Sequence, residues 1–224
     1  MPHSSSAMLE RVITAIHTAD PGLEEPAATR QRLKDQFPAG AARRMTQLGM
    51  LVGAALETLA PRPGETVVYA SRFGESRALE AFLESFPAAS PTLFQTSIHP
   101  SGVQQGLIVR QRATPELFPI AGSPAQIAQA LLAALLAPAP RVLFCGGEER
   151  GTWLAERGAA SDRAFAFGLA LESGASDSAL GRVSLAPADG TGTLPIADWF
   201  DLLHGRRPFT GIIAPGWSLQ LHWS

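Results

Sequence analysis

Apolar residues fall into two rhythms along the chain. A helical spacing joins Met45, Leu48, Val52, Leu56 and Leu59 in "ARRMTQLGMLVGAALETLA", where Gly49, Gly53, Ala54 and Ala55 permit close packing, so a buried helix is predicted. The same spacing runs through Leu79, Phe82, Leu83 and Phe86, through "SGVQQGLIVRQR" and through "TLPIADWFDLLHG". It is clearest in "SPAQIAQALLAALLA". Met8, Val12, Ile16 and Ala19 also share a helical face, which predicts a first helix capped by Ser4, Ser5 or Ser6. Between helices lie the short apolar runs "TVVYAS" and "RVLFCGG", bounded by turn residues as buried strands are. "ELFPI" is extended too, and Pro119 leaves one of its backbone edges without a donor. "FAFGLALES" and "GRVSLAP", joined by a Gly/Ser/Asp-rich connection, predict an antiparallel hairpin. "GWSLQLHWS" alternates Trp217, Leu219, Leu221 and Trp223 on one side, the pattern of an edge or docking strand. "DPGLEEPAATRQRLKDQFPAG" reads as a surface loop with one helical turn, and "SPTLFQTSIHP" as a proline-flanked loop. From residue 41 onward helices and strands alternate, which predicts an α/β layer.

Composition narrows the class. With 46% hydrophobic and 17% charged residues in 224, the chain has enough apolar surface for a real core, and without a repeat or linker it is expected to be one domain. Eighteen Lys and Arg against 20 Asp and Glu give a net charge of −2, which supplies no footprint for nucleic acid or an anionic membrane. "IAQALLAALLA" is shorter than the roughly 20 residues of a membrane span. Cys145 is the only cysteine, so no internal disulfide forms, and no signal peptide is read at the start. These features imply a soluble protein of the reducing cytoplasm.

The turn "AGSPAQI", between "ELFPI" and the apolar helix, is where a nucleophile would be presented. It offers Gly122, which has no side chain, and Ser123. Ser123, Pro124 and Gln126 fit a capping box with proline in the first helical position, and Ala125 breaks the glycine pattern of a serine elbow. Ser123 is therefore read as a cap. Cys145 ends a buried strand and behaves as a small hydrophobe. Glu148 and Glu149 in "GGEE" lack the histidine or cysteine spacing of a metal site and are assigned to a turn or an interface. Gly74 lies in a stretch too poor in glycine to cradle phosphate. No metal or cofactor is expected. Trp153, Trp199, Trp217 and Trp223 divide between core and interface.

Several segments, in this order, resemble the N-terminal half of β-ketoacyl-acyl-carrier-protein synthases, which have the thiolase fold. "SPTLFQTSIHPSGVQQGLIV" is similar to the segment leading into the family's interface helix, and "ELFPIAGSPAQIAQALLAALLA" to its strand, nucleophile turn and buried helix. "RVLFCGGEE" and "AFAFGLALESG" resemble the strands that follow. The likeness covers residues 41–187, with 188–224 as a C-terminal helix and strand extension of a single domain, 1–224. The implied fold is an α/β, thiolase-like half-fold: a mixed, five-stranded-type sheet covered by helices, as a single layer unit without the C-terminal half. The nearest kind is the short ketosynthase-like protein of aryl polyene and xanthomonadin-type pigment pathways, described as a chain-length-factor-like partner of an active ketosynthase.

In this family a cysteine follows a small residue at the nucleophile turn. Aligning Ala121 with that small residue puts Gly122 where the thiol belongs. The assisting histidines, or His and Asn, come from a C-terminal half for which the chain leaves no room, and its last stretch offers His204 and His222 without the expected surroundings. The resemblance thus implies no catalytic residue in this chain. It implies a dimer strand, Glu116, Leu117, Phe118, Pro119 and Ile120, which in thiolase-fold dimers pairs with its counterpart across the two-fold. Thr96, Ser97, His99, Val103, Gln104 and Leu107 become tunnel and interface positions, although His99 also fits a structural role. The implied partners are a catalytic ketosynthase in a heterodimer and acyl carrier protein bearing acyl or polyene chains, in polyketide or fatty-acid-type elongation. Two other classes stay open: an acyltransferase or hydrolase using Ser123 or Cys145, and a homodimeric carrier-protein-binding scaffold.

Overall fold

The computed structural model describes residues 8–111, 113–114, 116–174 and 179–224. Strand β1 (Leu9–Gly22) leads into α1 (Pro26–Leu33), a 3-10 turn at Lys34–Gln36, α2 (Ala39–Ala42) and the buried α3 (Gln47–Thr58). Then come β2 (Thr66–Ser71), α4 (Ser76–Glu84), α5 (Pro91–Ser97), α6 (Ser101–Val109), β3 (Glu116–Ala121), α7 (Gln126–Leu136) and β4 (Arg141–Glu148). The chain finishes with α8 (Trp153–Glu156), β5 (Ala164–Glu172), β6 (Gly181–Ala188), α9 (Ile196–His204), β7 (Phe209–Ala214) and β8 (Gly216–Trp223).

All described strands join one sheet in the order β3-β2-β4-β5-β1-β6-β8-β7. β2 is parallel to β3 and β4, as their helical crossovers require, and the remaining pairs are antiparallel. Helices cover both faces, so alternate residues bury on opposite sides. Val67, Tyr69, Leu143 and Cys145 pack towards α3, with Ala166 and Ala170 leaving room for that helix. Val68, Phe144, Phe165 and Phe167 pack towards α7 and α9, where Trp199 stacks on Phe144 with ring centroids 6.1 Å apart. α3 in turn crosses α6 at two glycines, and a Cβ on Gly106 would lie 3.0 Å from the Gly53 Cα. The five strands β3-β2-β4-β5-β1 thus continue into three further ones, β6, β8 and β7, where five were expected. Leu219 and Leu221 of β8 and Ile213 of β7 enter the same apolar cluster as Leu131 of α7 and Leu203 of α9.

Several elements differ from expectation. The N-terminal segment is the central strand β1, not a helix, and Ser4–Ser6 lie outside the described residues. Positions 8, 12 and 16 differ by even numbers, so they suit one face of a strand equally well. A register shift between Ile13 and Ala15 also breaks the period of two that would have marked a strand: Ile13 and Ile16 pack into the α7 cluster, Ala15 and Ala19 into the α3 cluster. β1 separates β5 from β6, so these strands form no hairpin. β8 alternates as expected, but it lies between β6 and the unpredicted β7, which forms the edge. The stretch 20–40 contains the end of β1, the two-turn helix α1, a 3-10 turn and the start of α2 rather than a loop with one helical turn. "SPTLFQTSIHP" contains α5, whose Ser90 Oγ accepts the Leu93 N–H at 3.4 Å with Pro91 in the first turn. The apolar face of α4 is not turned to the sheet. Phe82 packs on Phe86 and Phe94, while Leu83 and Phe86 are 41% and 57% exposed.

Candidate functional site

The turn after β3 is tied to the turn after β2 by the Gly122 N–H, which donates to Arg72 O at 3.2 Å. Gly122 has φ +76°, and a Cβ there would meet nothing within 4 Å. Backbone conformation, rather than lack of space, therefore disfavours a side chain at this position. Ser123 does not cap α7 as expected. Its Oγ accepts the N–H of Ala125, two residues on, at 3.1 Å; this local turn holds Pro124 outside the helix, which begins at Gln126. Cys145 is 0% exposed in β4, and burial pushes its thiol well above the ordinary cysteine range.

The carboxylates of "GGEE" occupy neither an exposed turn nor an open surface. Each is 1% exposed and accepts backbone N–H groups. Glu148 takes the Ser71 hydroxyl at 3.1 Å together with the N–H groups of Arg72 and Phe73, at the end of β2. Glu149 takes the N–H groups of Arg77 and Ala78, at 2.9 and 3.2 Å, and of Leu48 at 3.5 Å. It therefore serves the free N-terminal donors of α4 and α3 together, where the helix dipoles favour negative charge. Burial pushes Glu148 up to about 8 and Glu149 up to about 7, with the N–H donors opposing the shift.

A third buried carboxylate, Glu75, accepts the Gly102 N–H at the start of α6 at 2.6 Å. Its other oxygen stands 3.4 Å from His99 Nδ1. The His99 ring stacks on Tyr69, centroids 5.1 Å apart. Burial, and then the Glu75 charge, raises the Tyr69 hydroxyl well above the usual tyrosine range.

The implied tunnel positions separate. Thr96, His99 and Gln104 line one cleft on α5 and α6, of about 610 Å³. Ser97 is turned back, donating to Phe94 O at 2.8 Å. Val103 is fully buried in the α3 core and Leu107 packs against it. β3 forms one edge of the sheet, with Glu116, Phe118 and Pro119 exposed and Leu117 and Ile120 half-buried. Tyr69 and Glu75 were not singled out from the sequence. The only trace of Glu75 there is an acidic residue just before a helix.

An edge strand ending in a tight turn, followed by a buried helix and a β4 crossover on a mixed sheet, defines a thiolase-like ketosynthase half-domain. Residues 18–188 match the β-ketoacyl synthase N-terminal domain, and the chain belongs to that family. Among solved structures it is similar to the ketosynthase (ApeO) in complex with its chain length factor (ApeC) from Xenorhabdus doucetiae. The identity is 22%, over 96% of this chain and 99% of that one, with a TM-score of 0.69. It is also similar to the ishigamide ketosynthase/chain length factor, with 15% identity over 79% of this chain and 67% of that one and a TM-score of 0.53. These likenesses establish the fold. No curated protein sequence matches the chain. Among the described residues no helix is long and apolar enough to cross a membrane.

Proposed function

We propose that this chain is a non-catalytic, chain-length-factor-like subunit that pairs in the cytoplasm with an active β-ketoacyl-acyl-carrier-protein synthase. There it shapes the tunnel in which carrier-bound acyl or polyene chains grow, as in aryl polyene pathways. The observation that carries this reading is Gly122: a member of the ketosynthase family has no side chain at the turn that follows its edge strand, and the neighbouring Ser123 is engaged with its own backbone. Glycine cannot attack a thioester. Cys145 offers no substitute, being sealed in the core.

The exposed edge of β3 supports the pairing. An unpaired strand edge is a liability in water and a ready template for a partner strand. In this reading Glu116–Ile120 joins the partner's equivalent strand, and Thr96, His99 and Gln104 face the partner's acyl tunnel, where side-chain bulk limits chain length. Both similar structures are of a ketosynthase with a chain length factor, and that pairing supports the one proposed for this chain. The test is co-expression with a cysteine-bearing ketosynthase from the same gene neighbourhood, followed by elongation assays on acyl carrier protein. Co-purification and a change in product length on Gln104→Trp are expected. Failure of the two to associate, or elongation undiminished without this chain, refutes the proposal.

A further inference from the structure

Helix α5 is fastened to the rest of the fold chiefly at its two ends. None of its residues is buried, and among the described residues its hydrogen bonds all end within 90–101. Towards α4 it offers Phe94, half exposed, against the Phe82 ring with centroids 5.3 Å apart. The connection from α4 is closed by one bond, from the Ser90 N–H to Ser85 Oγ at 3.1 Å, and its Phe86, Pro87, Ala88 and Ala89 are exposed.

The far end is seated differently. Beyond α5 the His99 ring enters a recess made by Tyr69 of β2, on which it stacks, and by Gly74 and Glu75 just ahead of α4. Gly74 has φ +62°, and a Cβ on it would stand 3.5 Å from His99 Nδ1, so the backbone closes round the ring. Glu75 reaches the same nitrogen with one oxygen and the Gly102 N–H of α6 with the other. This recess is closed at a cost. The Tyr69 hydroxyl, Glu75 Oε2 and both His99 ring nitrogens are buried without a hydrogen-bonded partner. Buried polar groups are ordinarily satisfied, so the return of water to these atoms favours withdrawal of the ring, against the stacking that favours its insertion.

α5 is also a partition. Thr92 and Thr96 line both the cleft against α6, of about 610 Å³, and the cleft against α4, of about 440 Å³. Movement of α5 away from the body joins the two.

We propose that α5 is a lid over these clefts, hinged at residues 85–90 and latched by His99 in its recess between Tyr69 and Glu75. His99 is thus a positioning residue. The lid stands apart from the subunit assignment; where that assignment holds, Thr96 and His99 travel with the lid, and opening withdraws them from the face turned to the partner.

Hydrogen exchange on the full, unpaired chain tests this. In the parent the amides of Phe94, Gln95, Thr96 and Ser97 are expected to exchange at least about a hundredfold faster than those at the centres of α3 and α7. Their opening exposes little surface, so the rate is expected to change hardly at all between no urea and about 1.5 M urea. His99→Ala is expected to quicken α5 at least about tenfold further and to leave α3 and α7 as in the parent, whereas His222→Ala, at an exposed position of β8, leaves all three unchanged. Exchange in α5 with the urea dependence of α7 overturns the lid, since the helix then opens only when the whole fold does. An α5 unmoved by His99→Ala, or a rise shared equally by α3 and α7, overturns the latch. Pairing with a ketosynthase enters none of these measurements, so loss of the subunit assignment and loss of the lid are told apart.

Discussion

Replacing Glu149 tests whether one buried carboxylate holds two helices in place. At pH 8 the group is ionised, since its pKa is pushed up only to about 7. Its two well-formed hydrogen bonds, from the Arg77 and Ala78 N–H groups, serve donors that have no acceptor within α4. The third, from Leu48, is long at 3.5 Å and adds little. Glu149→Ala leaves two orphaned donors where the side chain is 1% exposed, at about 1–3 kcal/mol each. Relief of the carboxylate's own desolvation offsets part of this, so a net loss of about 2 kcal/mol follows. Glu149→Gln keeps one acceptor oxygen in nearly the same volume and is expected to lose about 1 kcal/mol. Domains of this kind have about 5–15 kcal/mol of stability in total, so both changes are measurable in urea unfolding followed by tryptophan fluorescence with an unchanged slope. An alanine variant within about 0.5 kcal/mol of the parent, or a glutamine variant less stable than the alanine one, refutes the argument.

Both Glu148 and Glu149 hold a proton more tightly folded than at the unfolded value of 4.5, so the folded state binds more protons across the interval between 4.5 and about 8. Stability is therefore expected to fall as pH rises through that window, and the urea midpoint at pH 8.5 should lie below that at pH 5; a rising midpoint contradicts the shifts. Gly106→Ala forces a Cβ to within 3.0 Å of the Gly53 backbone and should destabilise by about 1–3 kcal/mol, read as a lower midpoint, whereas an unchanged midpoint means α3 and α6 separate freely. Cys145 should resist a thiol reagent in the folded chain and react fully in guanidinium chloride; fast native labelling would place it outside the core.

Where the chain is buried on both sides, its pattern was easy to read. The runs at β2 and β4 and the helices α3 and α7 carry their apolar residues in one unbroken period, and the structure follows it. The bulge in β1 shifts its period midway and so disguises a strand, and the seven residues of α5 are too few for a helical period to declare itself. The edge position of β3 was foreshadowed by Pro119. The buried carboxylates escaped for another reason. Glu75 and Glu149 act on N–H groups far away in sequence, and only folding brings acceptor and donor together.

The place of β1 in the sheet also governs the order of assembly. Thr14 bonds to Glu172 across 158 residues, and β6 lies on the other flank of the same strand. On the ribosome the first strand must therefore wait, unpaired, until most of the chain has emerged. Contacts this remote in sequence slow folding and leave apolar edges open to other chains meanwhile. Such a nascent chain has most to gain from chaperone cover during this interval.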